Sequence, residues 1–193
     1  MDEKELILRT QKGDSDAFSA LILPYEKRMY HYALRMLKDP HEAEDALQEA
    51  FLKAYKNLST YHGEASFSTW LYTILNRLCL DILRKKKRTG EEGFLSLNQT
   101  SKDEEDYELQ IEDNAPSPEE AYRKKEVMQE LAKALDKLSE EHRAVILMRD
   151  INGLDYDAIA KITGTSLGTV KSRLNRARLN LRKILEEKRE LFL

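Results

Sequence analysis

A single cysteine, Cys79, is all that the 193 residues contain, so no internal disulfide and no multi-cysteine metal site can form. It stands among Leu78, Leu80 and Ile82, which predicts a buried, reduced thiol. Only seven glycines accompany 35% charged residues, a balance that suits long, solvated helices. No apolar run approaches the roughly 20 residues of a membrane span, and the acidic start Met1-Asp2-Glu3 lacks the basic n-region of a secretory signal. These absences predict a cytoplasmic protein without membrane insertion. Enzyme signatures are also missing. There is no phosphate-binding glycine loop, no cysteine nucleophile beside a histidine and no His-Glu-x-x-His, and the four histidines are scattered. The chain is read as a non-enzyme with no cofactor and no metal.

The charge is unevenly spread. Residues 1–88 carry 15 Lys/Arg against 13 Asp/Glu, residues 89–121 one against 11, and residues 122–193 16 against 11. Two mildly basic modules therefore flank a segment of net charge −10, inside an overall charge of −3. Such segregation points to nucleic-acid contact at both ends. From about Thr89 to Pro118 the chain has few apolar residues, two glycines, two prolines and the run Asp103-Glu104-Glu105-Asp106, the composition of a flexible linker. Both flanks are helical by pattern, and neither offers an alternating strand. The fold class is all-α, with helical domains at 1–88 and 121–193 joined by an acidic linker at 89–120.

In the second domain, Ile159-Ala160, Gly164 and Val170 follow the spacing of a helix-turn-helix. The small residue lets the helices approach, the glycine takes the turn and the branched residue plugs one helix onto the other. At about 100° per residue, Val170, Leu174, Ala177, Leu181, Ile184 and Leu185 share one arc. Lys171, Ser172, Asn175 and Arg176 lie outside it, with Arg178 and Arg182 on its border. A hairpin used only for packing has no need of so many cations on one helix. Ser166 is the expected N-cap of this helix and Asp155 of the one before, though Ala158 removes the reciprocal half of a capping box. The face suits phosphates and base edges.

In the first domain, helical stretches are expected over Asp14–Leu37 and His41–Leu58, with Pro40 at a first turn. A loop, Ser59–Ser66, then leads to a helix through Trp70, Ile74, Leu78 and Ile82, ending in the basic run Arg84–Arg88. Around this loop, Tyr61, His62, Gly63, Ser66, Phe67, Thr69 and Trp70 mix aromatic with small polar groups. They suit the holding of unstacked bases. Spacing alone leaves a second reading equally open, in which Phe67 and Trp70 are core and the basic run is a solvated helix end. Asp45, Gln48 and Glu49 form a polar stripe that composition reads as an ordinary solvated face.

Together these residues resemble a known family. Gly13-Asp14, Ala17-Phe18, the run Ala43–Phe51, and Trp70–Ile74 with Asn76, Asp81 and Arg84 are ordered as in the second conserved region of bacterial sigma factors. Leu138, Arg143, Leu147, Arg149, Gly153-Leu154, Ile159-Ala160 and Gly168–Arg173 resemble the fourth region. Lack of a third region makes the chain similar to the extracytoplasmic-function (ECF) group.

The resemblance implies that Asp45, Gln48, Glu49 and Lys53 dock on core RNA polymerase. It implies that Tyr61, His62, Gly63, Ser66, Phe67, Thr69, Trp70, Asn76, Arg77, Arg84 and Lys85 read the −10 promoter element as a single strand with a flipped base. It implies that Ser166, Gly168, Thr169, Lys171, Ser172, Arg173, Asn175, Arg176 and Arg178 read the −35 element as duplex. An anti-sigma factor, in some relatives anchored in the membrane, is the implied regulator. The acidic linker would thread polymerase channels as a nucleic-acid mimic. On that hypothesis, neutralising Asp103–Asp106 and Glu108 weakens holoenzyme assembly or alters abortive products, and no change in either sinks it.

Ser139 stands where the family favours proline, Ala158 where glutamate is usual and Thr73 where a basic residue is frequent, so one strand contact of the family is not carried over to this chain. Asn175 occupies a position that varies among relatives, so the promoter sequence is not inherited. The rival readings are a free-standing helix-turn-helix regulator that binds duplex DNA without polymerase and a helical adaptor with no DNA role.

Overall fold

The computed structural model describes residues 2–90 and 118–186, all of it helix and connecting turn. Eight α-helices run through the described residues: α1 (Glu3–Gln11), α2 (Ser15–Leu37), α3 (Pro40–Asn57), α4 (Phe67–Thr89), α5 (Pro118–Asp136), α6 (Glu140–Ile146), α7 (Tyr156–Thr163) and α8 (Leu167–Glu186). The expected all-α class holds. The acidic run Asp103–Asp106 and Glu108, with the hypothesis attached to it, lies outside the described residues.

Helix starts follow local chemistry. Asp14 accepts from the Ala17 amide at 3.0 Å, Asp39 from Glu42 at 3.0 Å, with Pro40 behind it, and Ser66 from Thr69 at 3.1 Å. Asp155 caps α7 through Ala158 at 2.7 Å, and Ser166 caps α8 through Thr169 at 3.1 Å, both as expected. Each cap satisfies an amide that the helix itself leaves without a partner. Ser139 starts α6 by accepting from the His142 amide at 3.4 Å. Gly164 ends α7 at φ +63, the left-handed turn that a side chain resists.

Helices α2, α3 and α4 form a bundle around Met29, Tyr32, Met36, Ala43, Ala50, Phe67, Leu71 and Leu75, all at most 1% exposed. Around Val145, Ile146, Met148, Ile159, Val170 and Ala177, helices α6–α8 build a second, smaller core. The two cores form one contiguous cluster. Packing of α7 against α4 and of α6 against α2 supplies the junction. Arg143 Nη1 donates to the Met36 carbonyl at 3.0 Å, and Lys38 Nζ to the Asp136 carbonyl at 3.2 Å. The sequence pattern did not indicate this closed arrangement, because residues far apart in the chain make it.

Three further features were not legible in the periodicity. Helix α1 is short and weakly patterned. Helix α5 begins at Pro118, inside the segment read as linker. After α6 the chain widens into one π-helical turn, Leu147–Ile151, where the Asn152 side chain and amide both donate to the Leu147 carbonyl, at 3.0 and 2.9 Å. Such turns arise from one extra residue rather than from a composition signal.

Candidate nucleic-acid interface

The loop after α3 is built around aromatic rings in edge-on and tilted contact. Tyr61 sits 5.7 Å from Phe67 and 5.3 Å from Trp70, Phe67 lies 5.8 Å from Trp70, and Tyr25 of α2 meets Phe67 edge-on at 5.8 Å. The Tyr61 hydroxyl donates across the loop to the Ala65 carbonyl at 2.8 Å, and burial raises its pKa above the ordinary phenol value. Gly63 at the loop tip takes φ +78.

Burial divides the aromatic residues of this loop into core and partly open positions. Phe67 is fully buried and serves as a pedestal, whereas Tyr61 and Trp70 are half-buried and keep a face outward. Trp70 separates two cavities. One, of about 350 Å³, is lined by Lys53, Asn57, Ile74, Arg77, Leu78 and Asp81. The other, of about 250 Å³, is lined by Thr60, Tyr61, His62, Glu64, Thr69 and Thr73, with Lys161 of α7 on its rim. Lys161 Nζ donates to the Glu64 carbonyl at 2.9 Å.

Several residues expected at the strand surface stand elsewhere. Asn76 is 2% exposed, and its Oδ1 accepts from the Tyr32 hydroxyl at 2.8 Å, so it is a core hydrogen-bond partner rather than a surface donor. Thr69 is 4% exposed, with its hydroxyl 2.8 Å from that of Ser66. Their positions on α4 point into the bundle, which the linear motif does not reveal. His62, Gly63, Arg77, Arg84 and Lys85 are exposed, Arg84 beside Asp81 at 3.2 Å. Within the basic run Lys86 is buried against Glu42 of α3, so that lysine fastens α4 to α3.

On α3, Asp45, Gln48 and Glu49 are exposed. Gln48 borders a groove of about 600 Å³ with Leu23, Glu26, Tyr30, Leu47 and Phe51, and Leu23 is 67% exposed. Lys53 pairs with Glu49 at 3.3 Å yet also lines the Trp70 cavity, so it links the acidic stripe to the aromatic loop.

Helix α8 presents the expected two faces. Val170, Leu174 and Ala177 are buried, while Gly168, Lys171, Ser172, Asn175 and Arg176 are exposed. Two cations depart from the expected DNA face. Arg173 pairs with Glu141 of α6 at 2.8 Å, and Arg178 Nε donates to Asp150 at 3.0 Å, a contact that raises its pKa. Both arginines tie α8 to its own domain. Thr169 shares its hydroxyl with Ser166 and accepts from Ser172. Among the described residues no cluster of His, Cys, Asp and Glu could hold a metal ion, and no helix is long and apolar enough to cross a membrane.

A helix-turn-helix with an open donor face, packed against a bundle that carries an aromatic loop flanked by cations, defines a two-part DNA-binding protein. Residues 21–89 match sigma-70 region 2, and residues 128–181 match sigma-70 region 4. The chain is 35% identical over 192 residues to the ECF RNA polymerase sigma factor SigW of Bacillus subtilis, covering 95% of this chain and 97% of that one. It is 32% identical over 184 residues to the RNA polymerase sigma-H factor of Pseudomonas aeruginosa, covering 95% and 94%. Its fold is similar to that of CnrH, solved with the cytosolic domain of CnrY, at a TM-score of 0.69 and 21% identity over 96% of this chain and 99% of that one. It is also similar to the sigma factor RpoE solved with the anti-sigma factor NepR from Bartonella quintana, at 0.64 and 22% over 88% and 96%. The chain belongs to the ECF group of RNA polymerase sigma factors.

Proposed function

We propose that three surfaces divide the work of this sigma factor. The exposed stripe Asp45–Gln48–Glu49, with the groove behind Gln48, docks core RNA polymerase. The Trp70 loop holds the −10 non-template strand: one base enters a cavity beside Trp70, and Arg77 and Lys53 take flanking phosphates. Extruding a base costs a few kcal/mol, and stacking on a preformed ring offsets it, so recognition and opening are coupled. Lys171, Ser172, Asn175 and Arg176 read the −35 duplex from the major groove.

The observation that carries the reading is the half-buried Trp70, held on a buried Phe67 between two cavities with cations at the edge. Lys161 on the rim of one cavity means that the helix-turn-helix domain crowds the loop in the closed arrangement. Promoter binding on this reading draws α7 away from α4. An anti-sigma factor is the regulator we assign, the class of partner carried by the solved RpoE neighbour. The protein performs no covalent chemistry of its own and works on the cytoplasmic side.

Run-off transcription from a library of promoter-like DNA, with bacterial core polymerase, tests the reading. Initiation that depends on this protein and shares two sequence elements supports it. Failure with a cognate core, while the purified protein binds a specific duplex by itself, favours the free-standing regulator.

A further inference from the structure

Helix α1 ends ten residues before the matched sigma region begins at residue 21, and nothing in that match gives it a task. It packs mainly against α2, and its far end also reaches the back of the aromatic loop. At its far end, Gln11 Nε2 donates to the Leu58 carbonyl at 3.0 Å and reaches the Tyr61 carbonyl at 3.4 Å. At its start, the Glu3 carboxylate accepts from the Tyr25 hydroxyl, whose ring supports Phe67. The helix cannot swing freely between these points. Arg9 Nε and Nη2 reach one Asp14 oxygen at 3.0 and 2.7 Å, while the other Asp14 oxygen caps α2. Thr10 and Leu6 bury its inner face.

We infer that α1 is a positioning element for the strand-reading loop and that Gln11 is its key contact. Through Leu58 and Tyr61, Gln11 sets where the Tyr61 ring stands relative to Trp70, and so the shape of the cavities on either side. It tunes −10 base discrimination without touching DNA. The inference rests on the proposed role of that loop. Gln11 is exposed, so its replacement leaves the core intact.

The test uses the full chain with core polymerase. Gln11→Met keeps the length and removes the donor; Gln11→Glu keeps the shape and faces two carbonyls with a carboxylate. Opening is followed by 2-aminopurine fluorescence on the preferred −10 sequence and on single-base variants of it, and −35 duplex affinity by anisotropy. A net hydrogen bond corresponds to a factor of about three to ten in such measurements. Opening on the preferred sequence is expected to slow by that factor in both variants, with a narrower ratio between preferred and variant −10 sequences. Duplex affinity at −35 stays at the wild-type value, and Tm falls by no more than about a few degrees. An unchanged −10 discrimination ratio in both variants overturns the inference, as does an equal loss at −35. Absence of protein-dependent initiation by the wild type removes the parent reading, and the inference with it.

Discussion

Arg143 of α6 donates through Nη1 to the carbonyl of Met36 in α2, 3.0 Å away and 107 residues earlier in the chain. The same guanidinium reaches the carbonyls of Leu135, Asp136 and Leu138 at 3.1, 3.0 and 3.2 Å. These carbonyls lie at and just after the end of α5, where helical amide partners run out, although Leu135 also accepts from the Leu138 amide at 3.1 Å. One cation thus closes a helix and fastens the two cores together. Burial pulls its pKa down, with Asp136 and Glu140 opposing.

Arg143→Ala is therefore expected to lower stability by about 2–4 kcal/mol, since it strands several buried carbonyls at once. Arg143→Lys is expected to recover little, because a single ammonium cannot span the planar fan of acceptors. Urea denaturation measures both. A loss below about 0.5 kcal/mol for the alanine variant, the scale of an ordinary surface substitution, would contradict the account.

Asn76 separates the motif from the fold. Its carbonyl oxygen accepts a hydrogen bond from the buried Tyr32 hydroxyl, so Asn76→Ala leaves that hydroxyl without its acceptor, at a cost of about 1–3 kcal/mol. Well below its Tm, the variant is expected to bind a −10 single strand within twofold of wild type. Normal stability with lost strand binding would return Asn76 to the surface role that the family motif suggested.

The contrast between Asn76 and Trp70 marks what sequence could reveal. Period and capping were legible: Pro40, Asp155, Gly164 and Ser166 sit where local chemistry alone puts them, and the buried arc of α8 follows from its spacing. Which side of α4 a polar residue faces was not, since the motif orders residues along the chain and not around the helix. The pairing of Arg173, Arg178 and Lys86 is not legible in the sequence, because their partners Glu141, Asp150 and Glu42 lie 28 or more residues away in the chain. The Met36–Arg143 junction was out of reach for the same reason.

Cys79 is fully buried, and burial pushes its thiol up to about 12. A raised pKa in the folded state means that its contribution is complete below the ordinary thiol value, near about 8.5, and is lost as pH climbs toward the folded value. Tyr25, Tyr32 and Tyr61 are shifted in the same direction and add to the alkaline loss. Comparison of wild type with Cys79→Ala between pH 8 and 11 isolates the thiol: the wild type should lose stability more steeply. Iodoacetamide is expected to label Cys79 only at the rate of unfolding. Rapid labelling under native conditions would place the thiol at the surface.

Lys53 and Arg77 line the same cavity from α3 and α4. If both hold strand phosphates, Lys53→Gln and Arg77→Gln each reduce the salt dependence of −10 strand binding by about 0.7 in log–log slope. Trp70→Ala weakens binding at every salt concentration by about 1–3 kcal/mol and leaves the slope alone, because stacking releases no counterion. Anisotropy titrations from low to moderate salt distinguish the two patterns. A slope unchanged by Lys53→Gln would leave that lysine to Glu49 and the acidic stripe.

Helix α8 offers the sharpest division between cations that read DNA and cations that build the domain. Lys171 and Arg176 are exposed, so each neutralisation to Gln should flatten the salt dependence of −35 duplex binding by about 0.9. Arg173 and Arg178 are held by Glu141 and Asp150. Their neutralisation should leave the slope near the wild-type value and cost under about 1 kcal/mol of stability, as pairs so near solvent are screened. The acids give the complementary measurement. Glu141→Gln and Asp150→Asn release Arg173 and Arg178 toward solvent, and duplex binding should then become tighter and more salt-dependent. Equal slopes for all four cation variants would mean that the pairs open on DNA and that the whole basic surface of α8 takes part.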